Sequence, residues 1–425
     1  MSSRLIMIYM AGDNNLDSGL VEESHCLRDI IKLQQINFPS DMHCIVQVDR
    51  KKQYLEDEQT WSSTRRYEIV ASPGSIMVSS TLLADLGETN TGDPKELVKF
   101  VTWSLDRYHP ERAGLVIWGH GSGWKDYPYD RGAGAAKNGL FNYYFLQQDQ
   151  QVARVFSEIE LTNAELTKMI ASDDEARDCL DAYELELALG EVLSVTGLKR
   201  LDYLGFDACS MMEFELLYSL RNYADVIIGS QETEPSDGWP YDKIFNRYAA
   251  APDATGADVG MWAVKAYLDY YRDSNKAITL SGVFASKLQL LAESLDKVAE
   301  LLLLSLGRYY RIIDDTQKFS LQFKEKDFYD LSDFLRSLRK CITDVELSTR
   351  IDNCLDALRQ CVPYFGALGD GIQNSGGISI YFPRKISNRV TWKIYETLKF
   401  HNDFPNWHKF VLSYMNYRPG ISGPV

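Results

Sequence analysis

The chain has 425 residues, with 45 Lys and Arg against 60 Asp and Glu, for a formal net charge of -15. That balance argues against nucleic-acid binding, which needs basic patches, and no apolar run reaches the roughly 18 residues of a membrane span. Seven cysteines and six histidines are scattered, without the spacing of a disulfide framework or a zinc site.

In chain order, residues 5–10 read as a buried first strand. Asp13, Asn14 and Asn15 form a turn able to cap a helix over 16–36. Residues 44–48 make a second strand, and the strand–helix–strand unit implies a right-handed parallel crossover. Residues 67–70 and 76–79 flank Ser72-Pro73-Gly74 as an edge hairpin. Asp93-Pro94 opens a helix to about 108. Residues 115–118 form a strand ending in Gly119-His120-Gly121-Ser122-Gly123-Trp124. Residues 125–180 turn polar and read as an excursion from the sheet. A helix over 182–195 leads to a strand at 201–206, which exits through Asp207, Ala208 and Cys209 into a helical pattern from Ser210. Residues 226–229 are a strand that exits into a loop carrying Glu234 and Asp237. Helices are expected over 257–272, 287–313, 327–341, 345–361, 389–399 and 406–414. The chain divides into an α/β core, 1–250, and a mainly helical region, 251–425. Strands at about 276–285 and 376–383 are candidates to rejoin the core sheet.

Three strands thus end in unusual loops, carrying His120, Cys209 and Asp237, and a parallel sheet places such loops at one edge. A cysteine where a strand gives way to a helix is either a small buried residue or a thiol made acidic by helix amides. A cysteine nucleophile needs a proton partner, and His120 can act as general acid–base. Glycines beside His120 let a substrate backbone approach, and the Gly121 and Cys209 amides can face a developing oxyanion. The other five histidines lack such a loop and read as structural or exposed. Asp207 reads either as a helix N-cap or as a charged group in the cleft, and Asp237 as an Asp-Gly turn or a second such group.

Five motifs in order carry a resemblance: residues 8–16 (IYMAGDNNL), 118–124 (WGHGSGW), 205–213 (GFDACSMME), 229–241 (GSQETEPSDGWPY) and 377–383 (GISIYFP). Together they resemble the clostripain-like cysteine peptidases, relatives of caspases, gingipains, legumain and separase. The resemblance implies a caspase-like α/β/α sandwich with a mostly parallel sheet and a His120–Cys209 dyad. It implies an endopeptidase cutting after Arg or Lys, with Asp207 and Asp237 receiving the basic side chain. Carboxylates suit that role, since a guanidinium entering a partly dry pocket needs charged acceptors. Asp13 and Asn14 are further candidates for the pocket wall, with capping as their other reading. Many members are activated by self-cleavage between histidine and cysteine. Here that interval is longer than a minimal member needs, and Arg131, Lys137 and Arg177 are the candidate cleavage positions. The chemistry requires no cofactor. Some relatives depend on calcium, so Ca2+ enters as an activator or stabiliser, with residues 56–58 and 173–175 as acidic stretches that lack ligand-loop spacing. The expected partners are protein or peptide substrates and a regulatory protein, with no nucleic acid or membrane. The N-terminus runs into a strand without a cleavage site, so no signal peptide is read and a bacterial cytoplasm is expected, or secretion if a leader precedes the sequence. The alternatives are a catalytically silent interaction module of the same fold, or a peptidase with a non-basic preference.

Overall fold

The computed structural model describes residues 3–17, 24–51, 61–125, 170–387 and 389–417. Its strands are β1 (Arg4–Gly12), β2 (Met42–Arg50), β3 (Arg65–Glu68), β4 (Thr81–Asp85), β5 (Arg112–Trp118), β6 (Ile170–Asp173), β7 (Asp178–Leu180), β8 (Leu201–Asp207), β9 (Ala224–Gly229), β10 (Ile278–Phe284), β11 (Phe328–Asp330), β12 (Tyr364–Leu368) and β13 (Ser379–Tyr381). Nine of them form one sheet in the order β12-β10-β9-β8-β5-β1-β2-β3-β4. The five central strands, β9 to β2, run parallel, and two antiparallel strands flank them on each side. The chain builds outward from β1 in one direction through β2 and in the other through β5, β8 and β9. The strand order therefore reverses between β1 and β5, where an open sheet of this kind leaves a crevice.

Both faces of the sheet are covered. Leu5, Met7, Tyr9 and Ala11 of β1 enter one apolar layer, and Ile6, Ile8 and Met10 enter the other. A strand alternates its side chains between faces, so burial on both gives the continuous apolar run seen in the sequence. Helices Pro94–Tyr108, Ala182–Thr196 and Leu288–Leu304 line the first layer. Helices His25–Leu33, Tyr241–Ala250 and Gly256–Tyr271 line the second. The result is an α/β/α sandwich. Among the described residues no helix is long and apolar enough to cross a membrane.

Several sequence expectations shift. The strand expected at about 276–285 is β10, which joins the main sheet as anticipated; β12 extends the sheet beyond it, and each apolar layer draws residues from both sides of position 250. The strand expected over 376–383 is β13, which pairs with β11 in a separate ladder and touches the core through Ser379 N–H donating to Met212 O at 2.9 Å. The edge hairpin is β3 with β4, not 67–70 with 76–79. Gln34 Oε1 accepts from the Ser79 and Ser80 amides at 2.8 and 3.0 Å, which diverts that segment from strand pairing. The first helix is His25–Leu33, capped by Ser24, rather than a helix from 16. The expected helix over 287–313 is two, broken at Ser305, whose amide and hydroxyl both bond to Leu301 O.

Candidate active site

Strands β5 and β8 are neighbours, with Trp118 opposite Asp207. Gly119 N–H continues the ladder by donating to Asp207 O at 3.2 Å. The two chains then leave the sheet side by side, carrying His120 and Cys209 at equivalent positions. A Cβ placed on Gly121 would lie 2.5 Å from Cys209 O and 2.9 Å from Ala208 Cβ. Only glycine lets the histidine loop lie against the cysteine loop this closely. Gly121→Ala is therefore expected to wedge the loops apart and cut any reaction that uses both loops by roughly 100-fold, with the circular dichroism spectrum retained. Equal turnover by this variant would remove Gly121 from the site.

The two loops are also tied by a side chain. Glu213 Oε2 accepts from Trp124 N at 2.9 Å, and a Cβ on Gly123 would fall 1.9 Å from that oxygen. The third loop, from β1, supplies Asn15, whose Oδ1 lies 2.9 Å from His120 Nε2. With that oxygen accepting, Nε2 carries the hydrogen of the neutral ring and Nδ1 is its basic atom. Sequence reading used Asn15 only as a turn residue and found no third group for the dyad. Its position in the loop at the end of β1, beside the strand-order reversal, is the signal that could have marked it.

Cys209 is half-buried. Sγ accepts from Glu234 N at 3.2 Å. Burial pushes the thiol pKa up, while the Glu234 amide opposes the shift. The expected acidification by a following helix does not occur: Ser210 adopts a left-handed φ of 57°, and the helix begins only at Phe214. For the same reason Asp207 is not a helix N-cap, because Glu213 occupies that position.

Asp207 is buried. Its Oδ2 accepts from Tyr241 Oη at 2.8 Å and from Trp239 N at 3.2 Å. Trp239 Nε1 reaches a second carboxylate, Glu234 Oε2, at 3.1 Å. Burial first, and then the Asp207 charge, drives the Glu234 pKa far upward. Asp237 is placed differently from the sequence expectation. Its carboxylate sits 3.3 Å from Arg28, both part-exposed, and its carbonyl accepts from Lys32 at 2.6 Å. Lys32 also bonds Asp29 Oδ1 at 2.6 Å, and Asp29 Oδ2 accepts from Trp118 Nε1 at 2.8 Å. A Cβ on Gly238 would lie 3.0 Å from Asp207 and 3.2 Å from Asp29. Asp207, Glu234 and Asp29 thus cluster around Gly238, with Lys32 paired to Asp29, while the Asp237 carboxylate turns toward Arg28. Sequence reading did not place Glu234 and Asp29 beside Asp207. Glu234 lay in a quoted motif, whereas Asp29 is brought in from a helix near the N-terminus.

Asn14 is a brace rather than a pocket wall. Its Nδ2 donates to Ala11 O and Ser172 O, both at 2.9 Å, and its Oδ1 accepts from Leu16 N, which uses the whole amide. Asp13 Oδ2 accepts from Glu175 N at 3.3 Å, and the residue groups with other carboxylates away from Asp207. Arg177 is exposed but sits in the tight β6–β7 turn with a left-handed φ of 53°. Its neighbours are held by Asp174 N–H to Asp13 O and Ala176 N–H to Asp173, so it does not offer the extended backbone a protease needs. Arg131 and Lys137 lie outside the described residues.

This sheet, with three loop-borne groups at one edge, has the architecture of the caspase-like cysteine peptidases. The clostripain family model matches residues 8–138 and 159–414, and the chain belongs to that family. It is 26% identical over 273 residues to clostripain of Hathewaya histolytica, covering 60% of this chain and 43% of that protein. The fold is similar to iotapain, a secreted C11 cysteine protease of Bacteroides thetaiotaomicron, with a TM-score of 0.65 at 18% identity, covering 96% of this chain and 99% of that one. It is also similar to an inactive zymogen C11 protease of Parabacteroides distasonis, with a TM-score of 0.63 at 18% identity, covering 95% and 99%.

Proposed function

We propose that the protein is an endopeptidase cutting on the carboxyl side of Arg or Lys. The observation that supports this reading is the matched exit of β5 and β8, which brings the loop of His120 against the loop of Cys209, with the carboxylates of Asp207 and Glu234 close by. His120 Nδ1 takes the thiol proton, and Sγ attacks the scissile carbonyl. The Gly121 and Cys209 amides donate to the oxyanion. The C–N bond breaks as His120 returns the proton to the leaving amine, and water then cleaves the thioester with His120 as base. Asp207, aided by Glu234 and the nearby Asp29, receives the substrate's cation.

The test is exposure of the full chain to an Arg chloromethylketone, followed by peptide mapping. A single adduct on Cys209, with loss of Arg-reporter turnover, is the expected result. No turnover and no adduct would leave a peptidase-shaped protein without this chemistry.

A further inference from the structure

The segment 320–327, between helix Leu306–Phe319 and β11, comes from the C-terminal part of the chain yet is tied to both catalytic loops. Lys324 N–H donates to Glu232 Oε2 at 3.2 Å, and Glu232 O accepts from the amide of Ser210, next to Cys209, at 3.2 Å. Glu232 is itself buried, and its Oε1 accepts from Thr233 N at 2.7 Å. Lys125, which follows the His120 loop, donates to Lys326 O, and its ammonium lies 3.7 Å from Asp327. Phe323 is buried, and Asp327 O accepts from Phe382 N at 2.8 Å. The backbone of the segment is therefore fixed on both sides of Lys324.

The side chain of Lys324 takes no part in this anchoring. It is exposed and forms no ion pair among the described residues. Its charge acts on the Cys209 thiol, after burial and the Glu234 amide, and the other charges acting there, Glu232 and Asp207, are negative. The surroundings of the thiol are thus uneven, with carboxylates at Asp207 and Glu234 and an unpaired ammonium on the 320–327 segment. An extended peptide advances about 3.3 Å per residue. An ammonium this near the nucleophile is within reach of a side chain one or two residues from the scissile bond.

We propose that Lys324 is a specificity-determining residue that receives a substrate carboxylate, so that the preferred peptide carries Asp or Glu within two residues of the scissile bond. The proposal rests on the reading of Cys209 as the attacking group and adds a second requirement to the basic-residue preference. A compact ammonium with three donors suits an anionic acceptor. A cationic side chain at the same place would meet like charge. Because Glu232 and Lys125 already hold the backbone, binding need not order the loop, which lowers its entropic cost.

The test measures binding rather than turnover, on the full chain carrying Cys209→Ala, by fluorescence anisotropy of labelled peptides built around one Arg. Glu, Gln or Lys is placed in turn at the residue before Arg and at each of the two residues after it. In a separate pair, Arg is exchanged for citrulline. At one of the scanned positions Glu is expected to bind at least about fivefold more tightly than Lys, with a smaller ratio at high salt. Lys324→Glu should invert that ratio and Lys324→Gln should abolish it, while Lys326→Gln retains it. A ratio near one, or a Glu preference that survives Lys324→Glu, overturns the proposal. An equal loss in Lys326→Gln overturns it too, since the effect would then be the general field of the segment. The citrulline pair reports on the basic-residue reading by itself. Glu preference without Arg preference upholds Lys324 and sinks that reading, and Arg preference without Glu preference does the reverse. A chain that binds none of the peptides overturns both.

Discussion

Cys209→Ala is expected to lower kcat/KM toward an Arg-reporter peptide by at least ~10⁴-fold while leaving the fold intact. His120→Ala should cost roughly 10²- to 10⁴-fold, the usual contribution of a positioned general acid–base. The physical basis is the state of the thiol. Burial raises its pKa, and the Glu234 amide offsets this only in part, so the resting group is a neutral thiol at neutral pH. A neutral thiol is a poor nucleophile, which is why His120 must take its proton. The sign for a small neutral electrophile follows: alkylation of Cys209 should accelerate as pH rises into the alkaline range. Cys341, an exposed cysteine, gives a reference in the same digest. Among the other cysteines, Cys26, Cys44, Cys179, Cys354 and Cys361 are buried. Stopped-assay kinetics on the two variants decide the matter. Cys209→Ala with wild-type turnover would show that the reaction uses another nucleophile.

Asp207→Asn is the second large effect, with a loss of ~100-fold in kcat/KM for Arg substrates and much less for a citrulline analogue. A buried, charge-assisted hydrogen bond contributes about 1.5–3 kcal/mol, which corresponds to a factor of ten to a hundred or more. Citrulline keeps the shape of arginine and lacks its charge, so the ratio of the two substrates isolates the electrostatic part. Glu234→Gln should act in the same direction. Both carboxyl pKa values are raised, Asp207 by burial and Glu234 by burial and then by Asp207. The raised values favour a shared proton on this pair, which a substrate cation placed beside it would displace. Substrate binding should release that proton, and KM for Arg substrates should fall as pH rises through the titration of the pair. The same sign governs stability. The folded chain binds a proton that the unfolded chain gives up above about pH 4, so stability from this pair declines as pH rises from there toward the folded pKa. Glu234→Gln should flatten that part of the Tm–pH curve. Equal losses for Arg and citrulline in Asp207→Asn would make the residue structural, acting through Trp239 and Tyr241 alone.

Much of the architecture was legible in local pattern. The apolar runs of β1, β5 and β8 stand out because burial on both faces demands them. Asp93-Pro94 marks a helix start because an Asp N-cap and a Pro in the first turn suit that geometry, and the Asp93 carboxylate does accept from Lys95 N. The glycines around His120 signalled a loop that backbone must approach closely, and Gly121 lies against Cys209 O. Helix and strand boundaries were less legible where distant side chains intervene. Gln34 redirects residues 79–80, and the turn at Ser210 delays a helix that its sequence would otherwise start.

By itself, the sequence determined which residue types sit at the ends of buried strands, because period-two burial and turn chemistry are local properties. It thereby marked His120, Cys209 and Asp207. Only the tertiary structure decided which carboxylates share their surroundings. Glu234 and Asp29 join Asp207, Asp237 turns toward Arg28, and Asp13 lies with Asp49 and Asp173 instead. Those choices depend on strand order and on hydrogen bonds between segments far apart in the chain. Coulomb energies change steeply over a few ångströms in a dry interior, so the charge pattern of the site became definite only once the sheet had set those distances.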